Sequence, residues 1–336
     1  MSKHALVTGA SGFVGTNLVL QLLQQGWQVS ALCRPSSDLR DLPVADLQIC
    51  HGDLTDAESI GKAVAQKPEF IFHTAADTSV WRGHRQRQWR VNVEGTRHVV
   101  EAAIKYNIDK LVYTSSFATW GLQAQRFDET SQPDLGAQWI AYIRSKASAR
   151  DIVLDAAAAH GLNAVLLCPG HILGPYDRHN WARLFIMLAQ QKLPGVPPGS
   201  GAFADVEEVA KAHVRAAAVG RAGEQYLLGG AEASYLDLLQ QAAHILKVSA
   251  PQRTTPAWLL KTAATVLHWQ SKFTGKEPRI TPEGAAMVTA HMRCDSSKAM
   301  RELDYQITPT DTLLRKTLCW LSDQQLLTTT SNGKTD

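Results

Sequence analysis

Three glycines, Gly9, Gly12 and Gly15, separate an apolar run over residues 5–8 from an amphipathic run that begins at Phe13. The stretch reads Thr8-Gly9-Ala10-Ser11-Gly12-Phe13-Val14-Gly15. That spacing suits a strand entering a helix through one tight turn. The first glycine permits the turn, the second lets backbone approach a pyrophosphate, and the third lets helix and strand pack closely. The exposed amides and the positive helix end then favour phosphate. Gly9, Ser11, Gly12, Phe13, Val14 and Gly15 are therefore expected around a dinucleotide, and the turn commits the chain to a βαβ unit.

The pattern that follows agrees with that commitment. Short apolar runs predict strands over 5–8, 28–33, 47–50, 70–73, 110–114 and 164–168, with helical periodicity over 13–25, 88–106 and 140–160. Strands alternating with helices imply an α/β fold, a Rossmann-type doubly wound parallel sheet, with ligands outside the carboxyl ends of its strands. Beyond Pro169 the pattern changes. Residues 174–201 are rich in Gly, Pro and Trp, with a short helix expected near 181–190. Helical patterns follow over 206–220, 235–246, 256–269 and 310–321. We expect a nucleotide-binding domain over 1–170 and a smaller, mainly helical substrate lobe over 171–327, interleaved with it. A disordered tail is expected over 328–336. The apolar face of 256–269 is expected to pack on the core in preference to a membrane or a greasy ligand.

Several functions are disfavoured at this stage. Among 336 residues the net charge is +3 and no Lys/Arg block occurs, which argues against a nucleic-acid partner. Cys33, Cys50, Cys168, Cys294 and Cys319 stand singly with no C-x-x-C pair. They read as reduced thiols of a cytoplasmic protein, with neither a disulfide framework nor a metal site. No charged leader precedes an apolar run, and no apolar run reaches the ~18 residues of a membrane span. A signal peptide and a membrane span are not expected.

The second strand runs into Cys33-Arg34-Pro35-Ser36-Ser37. An acidic residue there would receive a ribose 2′-hydroxyl; arginine suits a 2′-phosphate through paired charge-assisted hydrogen bonds. Arg34 and Ser37, with Ser36 and Arg40 as further donors, predict NADP(H) over NAD(H). Asp53 and Leu54 follow the third strand, where a carboxylate can meet the adenine amino group. Thr74, Ala75 and Ala76 follow the fourth, small enough to admit a cofactor. His73 is expected as a buried strand residue, not a catalyst.

Tyr142 and Lys146 stand at i and i+4 of a helical run, on one face. An unperturbed phenol titrates near ~10, and a neighbouring cation favours phenolate and draws that value down. Leu111-Val112-Tyr113-Thr114-Ser115-Ser116 is a strand ending in hydroxyls at the ligand rim. Thr114 is counted among the cofactor contacts.

Taken in order, Thr8-Gly9-x-x-Gly12-x-x-Gly15, Asp53, Asn92-Val93-x-Gly95-Thr96, Thr114-Ser115-Ser116, Tyr142-x-x-x-Lys146 and Pro169-Gly170 resemble the extended short-chain dehydrogenases/reductases. The resemblance spans about residues 4–322. It is nearest the dihydroflavonol-4-reductase and 3β-hydroxysteroid-dehydrogenase-like branch, through Phe203-Ala204-Asp205-Val206-Glu207-Glu208-Val209-Ala210 and Cys294-Asp295-Ser296-Ser297-Lys298-Ala299. It implies that Tyr142 is the general acid and that Lys146 lowers its pKa and binds the nicotinamide ribose. It implies that Ser116, with Ser115 as the close alternative, polarises a carbonyl. Pro169, Gly170 and His171 would line the nicotinamide, and Asn92 would support the site. Runs 93–103 and 140–154 resemble the family's four-helix dimer interface, so a homodimer is expected.

The function these readings imply is NADPH-dependent reduction of a ketone or aldehyde to the alcohol. The aromatic residues Trp81, Phe117, Trp120, Trp139, Trp181 and Phe185 suggest a hydrophobic or aromatic substrate. A nucleotide-sugar epimerase or dehydratase is the main alternative. Sugar dehydratases place an acid after the strand-end hydroxyls, where Phe117 stands here, and epimerases retain a bound NAD. A non-catalytic NADPH sensor is the second alternative, but such proteins often lose the Tyr or Lys that this chain keeps.

Overall fold

Alternation of side chains along each strand is what builds this fold. Ala5, Val7, Phe72, Val112, Val165 and Leu167 point to one face of the main sheet, and Leu6, Ile71, Leu111, Leu166 to the other. Both sets are fully buried. A sheet so apolar on both faces must be covered on both, as parallel sheets are. The structure, a computed structural model, describes residues 2–327, so the tail expected over 328–336 lies outside the described residues.

The elements, in chain order, are β1 (His4–Thr8), α1 (Phe13–Gln24), β2 (Gln28–Cys33), β3 (Gln48–His51), α2 (Ala57–Val64), β4 (Phe70–His73), α3 (Arg85–Trp89) and α4 (Gly95–Lys105). Then come β5 (Lys110–Thr114), α5 (Ala141–His160), β6 (Ala164–Pro169), β7 (His171–Leu173), α6 (Ala182–Ala189), β8 (Ser200–Asp205) and α7 (Val206–Val219). The chain continues through β9 (Gln225–Leu228), β10 (Ala231–Ser234), α8 (Tyr235–Leu246), α9 (Ala257–Thr274), α10 (Pro282–Thr289), α11 (Ser297–Leu303) and α12 (Thr310–Asp323).

The seven-stranded sheet has the order β3-β2-β1-β4-β5-β6-β9, and all its pairings are parallel. It is the doubly wound arrangement expected. The order reverses between β1 and β4, where Thr8 pairs with His73, and the ends of β1, β4 and β5 open onto that crevice. One face carries α1 and α7, which pack against each other, and the other carries α2, α4 and α5.

Three features depart from expectation. The lobe expected to be mainly helical also holds a second sheet, β10-β8-β7, in which β7 and β8 are parallel and β8 and β10 antiparallel. The helical run over 88–106 is interrupted by a π-helical turn, Arg90–Glu94, between α3 and α4. Finally, α9 forms where 256–269 predicts a helix, but it does not bury an apolar face. Only Ala264 and Ser271 are buried along it.

Asp205 fixes the corner where β8 becomes α7. Its buried carboxylate accepts from the amide of Glu207 at 2.9 Å, from Thr308 Oγ1 at 3.0 Å and from Lys316 Nζ at 2.8 Å. One side chain thus caps α7 and ties α12 to it. Asp205→Ala removes a cap and strands a half-buried ammonium. We expect urea denaturation to show a loss of about 2–3 kcal/mol, with Glu207 limiting the damage by keeping Lys316 paired.

Candidate active site

The glycine turn is shaped by close approach. Gly9 has φ of +73°, and a Cβ there would lie 2.7 Å from the backbone of Ala75. A Cβ on Gly15 would lie 2.0 Å from the carbonyl oxygen of Gly9. Both positions therefore require glycine. Unlike α2, α7 and α8, which Asp56, Asp205 and Ser234 cap, α1 starts with no side-chain cap and no acid in its first turn. Its first amides, at Phe13 and Val14, lie at the positive end of the helix with no carboxylate to compete for them. Thr74 holds the facing loop in place, donating from both its amide and its hydroxyl to the carbonyl of Thr8.

At the far end of the crevice, Arg34 and Ser37 form a closed turn. Ser37 Oγ accepts from the Arg34 amide at 3.0 Å, and the Arg34 carbonyl accepts from the Ser37 amide at 2.9 Å. The Arg34 side chain is exposed and has no ion-pair partner among the described residues, whereas Arg40 is paired with Asp38 at 2.7 Å. Burial pushes the Asp53 carboxyl upward, but two hydrogen bonds from Thr55 and the charge of Arg34 outweigh it and hold the group below the usual range. Leu54, expected beside the cofactor, instead packs inward over Gly95.

The residues around Lys146 form one connected network. Its ammonium, 2% exposed, donates to Tyr113 Oη at 2.9 Å and to the carbonyl of Thr114 at 2.7 Å. Thr96 lies beside Tyr113 and lowers its otherwise raised phenol value. Thr96 donates to the carbonyl of Asn92 at 2.6 Å, so its oxygen is left to accept from His73 Nε2 at 3.0 Å. His73 is then protonated on Nε2, and its Nδ1 accepts from Thr8 at 2.7 Å. Burial, then the charge of Lys146, pull His73 down to about 3, so it is a neutral strand residue as expected. Asn92, in the π-helical turn, accepts from the amide of Asp77 and donates to Asp77 O and to Ser145 Oγ. It pins the loop after β4 to the helix that carries Tyr142.

Ser116 lies near enough to Tyr142 to favour its phenolate, and Ser116 Oγ accepts from the amide of Ala118 at 3.2 Å. Two expectations need correction here. Burial raises the Tyr142 phenol and Ser116 opposes this; Lys146, the expected cause of a lowered value, makes its contacts with Tyr113 and Thr114 instead. A buried ammonium takes the nearest acceptors, and the strand end supplies them. Burial also draws Lys146 itself down to about 7. The Thr114 hydroxyl, expected at the cofactor, donates to His213 Nε2 on α7 at 2.7 Å, because His213 Nδ1 must donate to Val209 O. Only the Thr114 carbonyl faces Lys146.

The aromatic residues divide. Trp120 is buried in the core, stacked on Phe127 with its Nε1 donating to Ser131 O. Phe185 is likewise core, and Trp139 is exposed. Phe117 is buried, edge-on to His171. His171, expected against the nicotinamide, sits half-buried among Phe117, Trp181, Phe203 and Tyr235, with Tyr235 Oη 3.3 Å from its Nε2. Burial draws it down to about 4. Trp181 and Trp81 remain half-buried. The sequence offers Phe203 only within the 203–210 motif and Tyr235 only as the start of a helix; their place beside His171 depends on the second sheet.

The depressed Lys146 has a consequence for stability. Its folded value lies below the ordinary lysine value, so between about pH 7 and pH 10 the unfolded chain binds a proton that the folded chain does not. Stability rises with pH across that window. Lys146→Met removes the penalty. The variant should be the more stable protein near pH 7, by about 1–3 kcal/mol, with the gap closing toward pH 10 in urea titrations.

Comparison with known proteins places this geometry in a family. The model of the NAD dependent epimerase/dehydratase family matches residues 5–229. A Synechocystis sp. protein, named provisionally as a dihydroflavonol 4-reductase, is 34% identical over 314 residues, covering 90% of each chain. Sterol demethylase protein B of Methylococcus capsulatus is 30% identical over 331 residues, covering 96% of this chain and 99% of its own. The crystal structure of gox2253 aligns with a TM-score of 0.85 at 30% identity, covering 97% of this chain and all of that one. The chain belongs to the NAD dependent epimerase/dehydratase family, the extended short-chain dehydrogenases/reductases.

Proposed function

We propose that the chain reduces a ketone or aldehyde on a hydrophobic or aromatic small molecule to the alcohol, reversibly, with NADPH. The observation that carries this reading is the buried Tyr142 phenol with Ser116 near enough to favour its charged form at the strand-end rim, and the Lys146 ammonium held on the last residues of β5.

The residues present fit a dinucleotide. Gly9, Gly12, Gly15 and the first amides of α1 would hold the pyrophosphate, Arg34 and Ser37 a 2′-phosphate, and Asp53 the adenine. Ala75, Ala76, Pro169 and Gly170 would border the nicotinamide, and Lys146 the ribose beside it. When bound, the cofactor supplies the hydride. The protein's own part is proton transfer and orientation. Ser116 Oγ already accepts from Ala118, so its proton is available for a substrate oxygen. Burial keeps the Tyr142 phenol protonated, which is the form a reduction needs. Delivery of that proton to the substrate oxygen leaves a phenolate. The Ser116 hydroxyl, which favours the charged phenol, then helps to offset its charge.

The names of the two long-range relatives, a reductase and a sterol-modifying protein, support a hydrophobic substrate. Trp181, His171 and Tyr235 pack together as an aromatic cluster with few polar groups, which suits a hydrophobic substrate better than a nucleotide diphosphate. By the same reading the homodimer forms through α4 and α5, where Ile104, Ile152 and Leu154 are only half-buried.

Two variants test the proposal. Tyr142→Phe should lower kcat for aromatic ketones about 100-fold or more while NADPH binding, read by fluorescence, is retained. Full turnover in that variant would remove the assigned acid. Arg34→Ala should raise KM for NADPH about 10-fold and leave KM for NADH nearly unchanged, since only the former carries the 2′-phosphate. Wild-type protein that binds NADPH but oxidises it with no carbonyl compound would favour the sensor reading. A nucleotide sugar released on denaturation would favour an epimerase.

A further inference from the structure

Helix α9 exposes what a lobe helix normally buries. Phe273 is 89% exposed, Trp258 68% and Trp269 59%, and Leu259 and Val266 are exposed beside them. At 100° per residue these five side chains fall within one sector about 100° wide, the width of the stripe that an ordinary helix turns to the core. Here the core contact is on the opposite side, where Ala264 and Ser271 are buried and α10 packs. The stripe faces outward.

Charge shows what would cover it. Lys261 and Lys272 lie along one edge of the stripe, Lys276 follows just past the helix, and residues 257–274 contain no Asp or Glu. Glu277 is the nearest acid in sequence, and it turns toward His84. The Lys272 ammonium rests 4.2 Å above the Trp269 ring, its stem along apolar surface. A second copy of α9 would bring lysines to lysines with no acid on either helix to pair them. Two tryptophans, a phenylalanine and flanking lysines match a surface where apolar chains meet anionic headgroups. Among the described residues no helix is long and apolar enough to cross a membrane, so such a contact would lie in the interface plane.

We propose that α9 docks the protein on the surface of an anionic phospholipid bilayer. Trp258, Leu259, Val266, Trp269 and Phe273 enter the headgroup boundary, and Lys261, Lys272 and Lys276 meet the lipid phosphates. The placement bears on the site. Along its other side α10 contributes Ala286 and Met287 to the cluster that holds Phe117 and Tyr142, and its Glu283 pairs with Arg82 beside Trp81. The docked face is thus one helix removed from the pocket wall. A substrate dissolved in the bilayer would reach that wall without crossing water, a step that rests on the reductase reading; the docking itself does not.

Co-sedimentation of the full chain with phosphatidylcholine vesicles, with and without phosphatidylglycerol, tests the docking with no substrate present. Binding should appear with the anionic vesicles, weaken as salt is raised, and shift tryptophan emission to the blue. Trp269→Gln with Phe273→Gln should lower the partition coefficient at least 10-fold with circular dichroism unchanged, because both side chains are exposed. Lys261→Glu with Lys272→Glu should abolish the preference for anionic lipid. Absence of binding to either vesicle overturns the proposal, as does undiminished binding by the Gln variant. It is also overturned if light scattering without lipid shows that variant losing an oligomer while vesicles capture neither protein, since the stripe would then belong to a second copy. Turnover of a water-soluble ketone, measured separately, tells failure of the docking from failure of the reductase reading.

Discussion

A positive charge shut away from solvent must be met by acceptors, and in this molecule that requirement organises the ground around Tyr142. The Lys146 ammonium takes a hydroxyl from Tyr113 and a carbonyl from Thr114. Thr96 stands beside Tyr113 and is itself committed to Asn92 and His73. His73 ends the chain of contacts at Thr8, the residue that opens the glycine turn. Two distant stretches, the glycine turn and the helix carrying the phenol, are connected through five side chains in one run of contacts, with one Lys146 donor left over. A network this connected resists small displacements, which is what positioned chemistry needs.

Most of the main sheet was legible because its strands are written in Val, Ile, Leu and Phe between clear turns. Gln28–Cys33, Phe70–His73 and Lys110–Thr114 fall where apolar alternation puts them. β8 and β10 were not visible, since Ser-Gly-Ala-Phe-Ala-Asp and Ala-Glu-Ala-Ser carry neither β-branched residues nor sustained alternation. They become strands because glycine allows close approach: a Cβ at Gly201 would fall 2.1 Å from the His171 ring, and one at Gly230 would strike the Phe203 carbonyl. Packing, not propensity, decides them.

The site was legible in its residue types and less so in its directions. Tyr142, Ser116 and Lys146 are brought to one rim as their spacing implies, but a spacing of four does not say which acceptor a lysine finds. Nor does the identity of a tryptophan say which way it turns. Trp120 and Trp258 look alike in sequence, yet one is sealed against Phe127 and the other stands in solvent. Periodicity locates a helical stripe without telling what, if anything, will cover it.

The π-helical turn at Arg90–Glu94 lets one helical segment answer to two masters. Ahead of it, Gln88 donates to the carbonyls of Asp77 and Ser79, and within it Asn92 grips Asp77 and Ser145. Beyond it, Val99, Val100 and Ala103 seat against the sheet while Arg97 and Glu101 face water. A wide turn accommodates one residue more than a regular coil, offsetting the two stretches by about 100°. Shortening the segment by a single residue would force a choice between them: either the amide of Asn92 swings off its loop, or a carboxylate rolls into the hydrocarbon under β4.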